Sequence, residues 1–154
     1  MNHQRRTVLK GVGSAAAVGV AAAAGLLKPT MAFAGDRAAF DAKGKDAVMK
    51  ALNAGAAAES KDITVKAPDI AENGAVVPVE VTSNIAGTDS IAIIAEKNAS
   101  PMVGEFKLSN GATGFISTRI KLANTSNVRA VVKAGGKVFT AAKEVKVTIG
   151  GCGG

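Results

Sequence analysis

Between residues 59 and 149 the apolar residues fall in short runs, and most of those runs alternate with polar ones. Ile63-Thr64-Val65 begins the series and Pro68 ends its first run. Glu72-Asn73-Gly74 reads as a turn, and Val77, Val79 and Val81 alternate after it, with Pro78 pointing to an edge or a bulge. Ser90–Ala95 is short and, after its serine, apolar, the pattern of a strand buried on both faces. Met102–Leu108 carries Phe106 and Leu108 on one side. Ile116, Thr118, Ile120 and Leu122 alternate with Ser117, Arg119 and Lys121. Val128–Lys133 and Lys137–Ala141 flank Gly135-Gly136, a two-glycine hairpin signal. A last strand sets Val145, Val147 and Ile149 against Glu144, Lys146 and Thr148. Seven or eight short strands at this spacing, with no strand–helix–strand rhythm, predict a mainly β protein, an antiparallel sandwich.

Ahead of the strands the period changes. Over residues 36–58, Phe40, Val48, Met49 and Leu52 lie along one stripe while Lys43, Lys45, Asp46 and Lys50 face water, so a helical segment is expected. Gly44 is a candidate break and Asn53-Ala54-Gly55 a candidate stop.

The first 34 residues follow neither pattern. They open with a basic stretch containing Arg5-Arg6, continue uncharged from Gly11 to Leu27, and close on Ala32-Phe33-Ala34. Basic, then apolar, then small-x-small is the order of a secretory signal, cleaved after Ala34. The paired arginines before Val8-Leu9-Lys10 resemble the twin-arginine export motif, although Gln4 and Val8 depart from its usual residues. The stretch is Ala- and Gly-rich and weak in Leu, Ile and Phe, which disfavours a lasting membrane anchor. Gly11-Val12-Gly13-Ser14-Ala15-Ala16 fits a loose dinucleotide-binding pattern, but no strand precedes it. The expected organisation is therefore a cleaved signal at 1–34, a helical segment at 35–58, a sandwich at 59–149 and a tail at 150–154. The expected location is the periplasm.

Removing the signal changes the charge. The 154-residue chain carries a formal +7, but Arg5, Arg6, Lys10 and Lys28 leave with the signal. Fifteen of the 19 basic residues then remain against 12 acidic ones, a balance of +3. With no Trp, no Tyr and four Phe, the mature chain has neither the charge nor the rings to bind nucleic acid. His3, the single histidine, leaves as well. A chain without histidine and with one cysteine builds no Ser-His-Asp or Cys-His centre, and no zinc, haem or iron–sulfur site. Its acids are scattered singly, with no calcium-loop spacing. No metal and no cofactor are expected, and the chain is not read as an enzyme.

What remains is the tail. Cys152 is the single cysteine, flanked by Gly150, Gly151, Gly153 and Gly154. Glycine offers no side chain to pack and loses much backbone freedom on ordering. The five residues are therefore expected to form a flexible arm whose thiol reaches roughly 10 Å beyond Ile149. The arm is also thin enough to enter a slot closed to ordinary side chains. A free thiol titrates near 8.5, and the neighbouring C-terminal carboxylate does nothing to activate it. Reach without activation suits a carrier whose chemistry is done in other active sites. A periplasmic module tethered to a partner by an interchain disulfide fits the same residues. A C-terminal Gly-Gly also occurs in ubiquitin-like sulfur carriers, but the strand order and the export signal disfavour that reading.

"IGGCGG" at the terminus, "STRIKLANTSNVRAVVKAGGKVFTAAKEVKVT" before it and "APDIAENGAVVPVEV" upstream together resemble the SoxY family over essentially the whole mature chain. These are the sulfur-carrier subunits of the periplasmic thiosulfate-oxidising Sox system. The resemblance implies an immunoglobulin-like sandwich that forms a heterodimer with a second sandwich subunit, SoxZ. It implies that Cys152 carries the substrate as S-thiosulfonate and persulfide-type adducts. It also implies three transient partners: a haem c enzyme that couples thiosulfate to the thiol, a dimanganese hydrolase that releases sulfate and, in complete systems, a sulfane dehydrogenase. No nucleic acid and no membrane insertion after cleavage belong to that picture.

Overall fold

The computed structural model describes residues 37–109 and 111–148. Two short helices come first, α1 (Ala38–Asp41) and α2 (Lys45–Ala51). Nine strands follow: β1 (Ala58–Glu59), β2 (Ile63–Lys66), β3 (Ile70–Ala71), β4 (Val77–Ser83), β5 (Thr88–Ala95), β6 (Met102–Lys107), β7 (Phe115–Ile120), β8 (Ser126–Ala134) and β9 (Lys137–Val147). They form two sheets. The larger runs β1-β9-β8-β5-β6, with β3 also paired to β9, and the smaller runs β2-β4-β7. All pairings are antiparallel except those of β1 and β3, which lie parallel to β9.

Period-2 alternation builds the core. Ile63, Val77, Val79, Val81 and Ile120 of the small sheet meet Ile91, Ile93, Val128, Val132 and Val145 of the large one. The opposite face of the large sheet is also covered. There Ala92, Ile94, Met102 and Val131 pack against Ala39, Val48, Leu52 and Ala54 of the helical segment. This is why β5 reads as one apolar run: alternate residues serve two cores. Each fully buried Ile or Val contributes about 1.5–3 kcal/mol, so the helical segment is an integral third layer. Among the described residues no helix is long and apolar enough to cross a membrane.

The helical segment expected across residues 36–58 is two helices, parted at the candidate break. Gly44 takes a φ of 82°, open to glycine and strained for other residues, and separates them. The second stops at the expected Asn53-Ala54-Gly55 signal. Asn53 turns left-handed at φ 55°, its N–H donates to the Lys50 carbonyl, and the Ala54 N–H donates to that of Met49 at 2.7 Å. This doubly bonded C-terminal cap stops α2 at Ala51, and Ala58 already belongs to β1. Phe40, expected on the apolar stripe, is 40 % exposed, and its neighbour Ala39 is buried instead. The break at Gly44 resets the helical phase, so residues before it do not extend the stripe after it.

Of the last two predicted strands, 137–141 and 144–149, the residues up to Val147 form one continuous β9, because Ala142-Lys143-Glu144 contains no turn former; Ile149 lies outside the described residues. Gly135 and Gly136 take φ 54° and 75° at the β8–β9 hairpin, the double positive φ of its expected turn. Pro78 sits in the middle strand of the small sheet, yet at an open place. The Ser83 N–H donates to the Gly114 carbonyl, which makes Val81/Ile116, Val79/Thr118 and Val77/Ile120 the bonded pairs of β4 and β7. The missing donor of Pro78 therefore faces the β2 side, where β2 has already ended at the Lys66–Glu80 pair.

One polar network sits at the border of the helical layer. Arg129 Nε donates to Glu96 Oε1 at 2.6 Å, Asn127 Nδ2 donates to Glu96 Oε2 at 3.1 Å, and an Arg129 Nη1–H reaches Thr140 Oγ1 at 3.3 Å. Both charged side chains are mostly buried, at 16 and 14 % exposure. Arg129→Ala strands the Glu96 carboxylate beside the core and is expected to lower unfolding stability by about 1–3 kcal/mol. Urea denaturation of the single variants and of the double variant with Glu96→Ala checks this. The double variant should lose less than the sum of the two.

Candidate functional site

Each strand of the sandwich runs toward one of two ends. The β2–β4, β5–β6 and β7–β8 connections and the C-terminal end of β9 share one of them. There the chain is cross-tied by side chains and carbonyls. Asn98 donates from Nδ2 to the Lys121 carbonyl at 2.6 Å and accepts the Ala123 N–H on Oδ1 at 3.0 Å, joining two loops. The Leu122 N–H donates to the Gly74 carbonyl at 2.7 Å and brings in the third. Asn73 caps its own turn by accepting the Ala75 N–H at 2.9 Å. A Cβ on Gly74 would overlap the Leu122 carbonyl oxygen and come within 2.9 Å of Val147 Cγ1. Gly74 is thus buried by close backbone approach, not left as a spare turn glycine.

The end of β9 is held from both sides within this frame. On the β3 side the Lys146 N–H donates to the Asp69 carbonyl at 2.9 Å and the Thr148 N–H to that of Ala71 at 3.2 Å. Lys143 adds an ion pair to Asp69 at 3.0 Å. On the β8 side the regular ladder ends at the Ser126–Val145 pair. The next N–H facing that way, on Val147, donates to the Thr125 hydroxyl at 3.0 Å. Ile70 and Val76 stand beside this end, 57 and 52 % exposed. Thr148 is thus a tied residue, four positions before Cys152.

The expected site residues themselves, Cys152 with Gly150, Gly151, Gly153 and Gly154, and Arg5, Arg6 and Ala34 of the signal, lie outside the described residues. The described residues supply the platform from which the tail departs. Gly74 was legible as a turn residue. Thr125 was not, because in Asn124-Thr125-Ser126-Asn127 one hydroxyl looks like any other. Among the described residues no group of three or more His, Cys, Asp or Glu could hold a metal ion. A cleft of about 620 Å³ opens between α2 and the large sheet, lined by Lys45, Lys50, Asn53, Glu59 and Arg129. Its charges are mixed and Arg129 is already engaged by Glu96, so it offers no nucleophile and no single-sign ligand site.

Residues 48–152 match the sequence profile of the family described as "Sulfur oxidation protein SoxY". The chain belongs to the SoxY family. The matched span begins within α2 and runs through Cys152, so it takes in the sandwich, the tied end of β9 and the thiol. Among solved structures, the sulfur carrier protein SoxY from Chlorobium limicola f thiosulfatophilum is similar at 43 % identity with a TM-score of 0.61. The likeness covers 66 % of this chain and 90 % of that one. No curated protein sequence matches. At that identity the two-sheet architecture and the family agree, and SoxY proteins provide the frame for reading the tail.

Proposed function

We propose that this SoxY protein is a covalent carrier in sulfur oxidation and that Cys152 is the atom-bearing residue. One observation carries the reading: the only thiol of the chain lies four residues beyond Thr148, a residue tied into the sandwich, and has glycine on both sides. Four residues span at most roughly 13–14 Å, enough for a thin arm to enter a pocket while the sandwich stays outside. The family and the solved SoxY carrier support the carrier role.

The steps balance without any cofactor on this chain. The Cys152 thiolate and thiosulfate join through a new S–S bond to give Cys–S–S–SO₃⁻, and the two electrons released go to the haem c of a coupling enzyme. Water then attacks the sulfonate sulfur in a dimanganese hydrolase. The S–SO₃ bond breaks, sulfate and two protons leave, and the persulfide Cys–S–S⁻ remains for a sulfane dehydrogenase. The chain contributes reach, a nucleophile and a slim backbone, and its partners contribute activation. A SoxZ-type sandwich is the stable partner in this proposal.

Thinness is testable apart from reactivity. Gly151→Leu with Gly153→Leu should cut turnover by the partner enzymes on the order of 10²-fold, the cost of misplacing a reacting group. Alkylation of Cys152 by iodoacetamide should stay within about twofold of the parent, since leucine adds no charge that would change the thiolate fraction. Normal turnover in the double variant would remove the role given to the glycines.

The leader supports a periplasmic location by the twin-arginine route. That route exports folded proteins, and this chain has no cofactor to acquire beforehand. A partner subunit bound before export is the remaining reason to fold first, so the chain carries its partner out. Deleting residues 1–34 should leave both subunits in the cytoplasm. An unchanged periplasmic level of the partner would overturn co-export.

A further inference from the structure

The two-sided tie at the end of β9 goes beyond an ordinary sheet ladder. Along β9, alternate N–H groups face β8 and the opposite edge. On the β8 side they end regularly at Val145, opposite Ser126. Val147 is one step further, where β8 has no strand residue left. Its N–H is taken up by a side chain, the Thr125 hydroxyl at 3.0 Å. On the other edge the two-residue β3 exists only as a pairing with this end of β9, and through it the Ala71 carbonyl accepts the Thr148 N–H. Ile70–Ala71 is held near β9 by the same turn whose Gly74 packs against Leu122 and Val147. Thr125 acts on Val147, and the β3 segment acts on Lys146 and Thr148, so both devices meet on the last three described residues of the chain.

We propose that Thr125 is a positioning residue for the carrier arm. Its hydroxyl and the Ala71 carbonyl clamp Val147 and Thr148, which sets the start of the tether to Cys152 at Thr148. This rests on the carrier reading of Cys152. A clamp at Thr148 leaves four residues between the tie and the thiol. Without the Thr125 bond the end of β9 is held from the β3 side alone, and whenever the Thr148 N–H leaves the Ala71 carbonyl the last tie is Lys146 and the tether to Cys152 lengthens from four residues to six. Effective concentration at a fixed target falls roughly as the −3/2 power of tether length, a loss of about twofold. Loss of a fixed exit direction brings the expected effect to about two- to fourfold.

The test uses the full chain with its SoxZ-type partner, loaded with thiosulfate, and the sulfate-releasing hydrolase. Thr125→Val keeps the shape and removes the acceptor, and Thr125→Ser keeps the acceptor and removes the methyl group. Thr125→Val should speed amide hydrogen exchange at Val147 and lower kcat about two- to fourfold. KM for the carrier should be unchanged, because no docking surface is altered. Thr125→Ser should restore both values. Faster exchange with unchanged kcat would overturn the proposal, as would equal slowing in both variants, which would point to the methyl group. Cys152→Ser in the same assay sets the zero. If it still releases sulfate, the carrier reading fails. If it is dead while Thr125→Val matches the parent, only the clamp fails.

Discussion

Cys152→Ser will leave the sandwich as stable as the parent and strip the protein of every sulfur adduct. The loss is complete because the chain has no second cysteine to take over. A serine hydroxyl forms no S–S bond, and unlike a thiol it has no appreciable ionised fraction near neutral pH. Stability is expected to be spared because four glycines around Cys152 give the tail no neighbouring side chains with which to pack. A substitution at such a position shifts stability by no more than about 0.5 kcal/mol, or roughly 2 °C in a domain of this size. Thermal melting and thiosulfate-dependent turnover, measured on the same preparation, check the two halves. Residual turnover would mean that another residue carries the sulfur.

Gly74→Ala is the second large effect, and it acts on the fold and the arm together. The added Cβ would overlap the Leu122 carbonyl oxygen and crowd Val147. A backbone oxygen does not swing aside as a flexible side-chain tip does, so the 72–76 turn must lift. Lifting it strains the bond from the Leu122 N–H and loosens β3 from the end of β9. Overpacking of this kind costs about 1–3 kcal/mol, a fall of roughly 4–12 °C in Tm for this size of domain. Hydrogen exchange at Lys146 and Thr148 should rise in parallel, because their acceptors sit on Asp69 and Ala71. Gly55→Ala is the natural control: nothing lies within 4 Å of a Cβ there, and its Tm should move little. Equal shifts in both variants would mean that the close approach at Gly74 does not hold this end together.

The sequence carried the sandwich because its strands obey period 2 under strong constraint. Val77, Val79 and Val81 alternate with exposed or half-exposed partners, and Ile91–Ala95 is apolar throughout because both faces of β5 are covered. The two-residue strands β1 and β3 were invisible, since a period needs more than one repeat to show. Their parallel pairing with β9 comes from chain path, which no local pattern encodes. The stop of α2 was half legible: Asn53 was named as part of the stop, but the left-handed turn that leaves Ala58 free to join β9 depends on tertiary packing of Met49 and Ala54. At the site the division is sharper. Cys152 stands out because one thiol among four glycines is improbable by accident. Thr125 and Ala71 do not, because a hydroxyl and a carbonyl acquire their role only when the end of β9 is brought beside them.

The central claim is that Cys152 takes up substrate sulfur and gives it back. Intact-mass analysis of the mature protein during a thiosulfate pulse, with the modification mapped by peptide fragmentation, tests this most directly. Sulfonate and sulfur adducts on Cys152 should appear within the pulse and disappear as thiosulfate is exhausted. An unmodified Cys152 throughout, or one constant crosslink to a partner chain that never turns over, would contradict it.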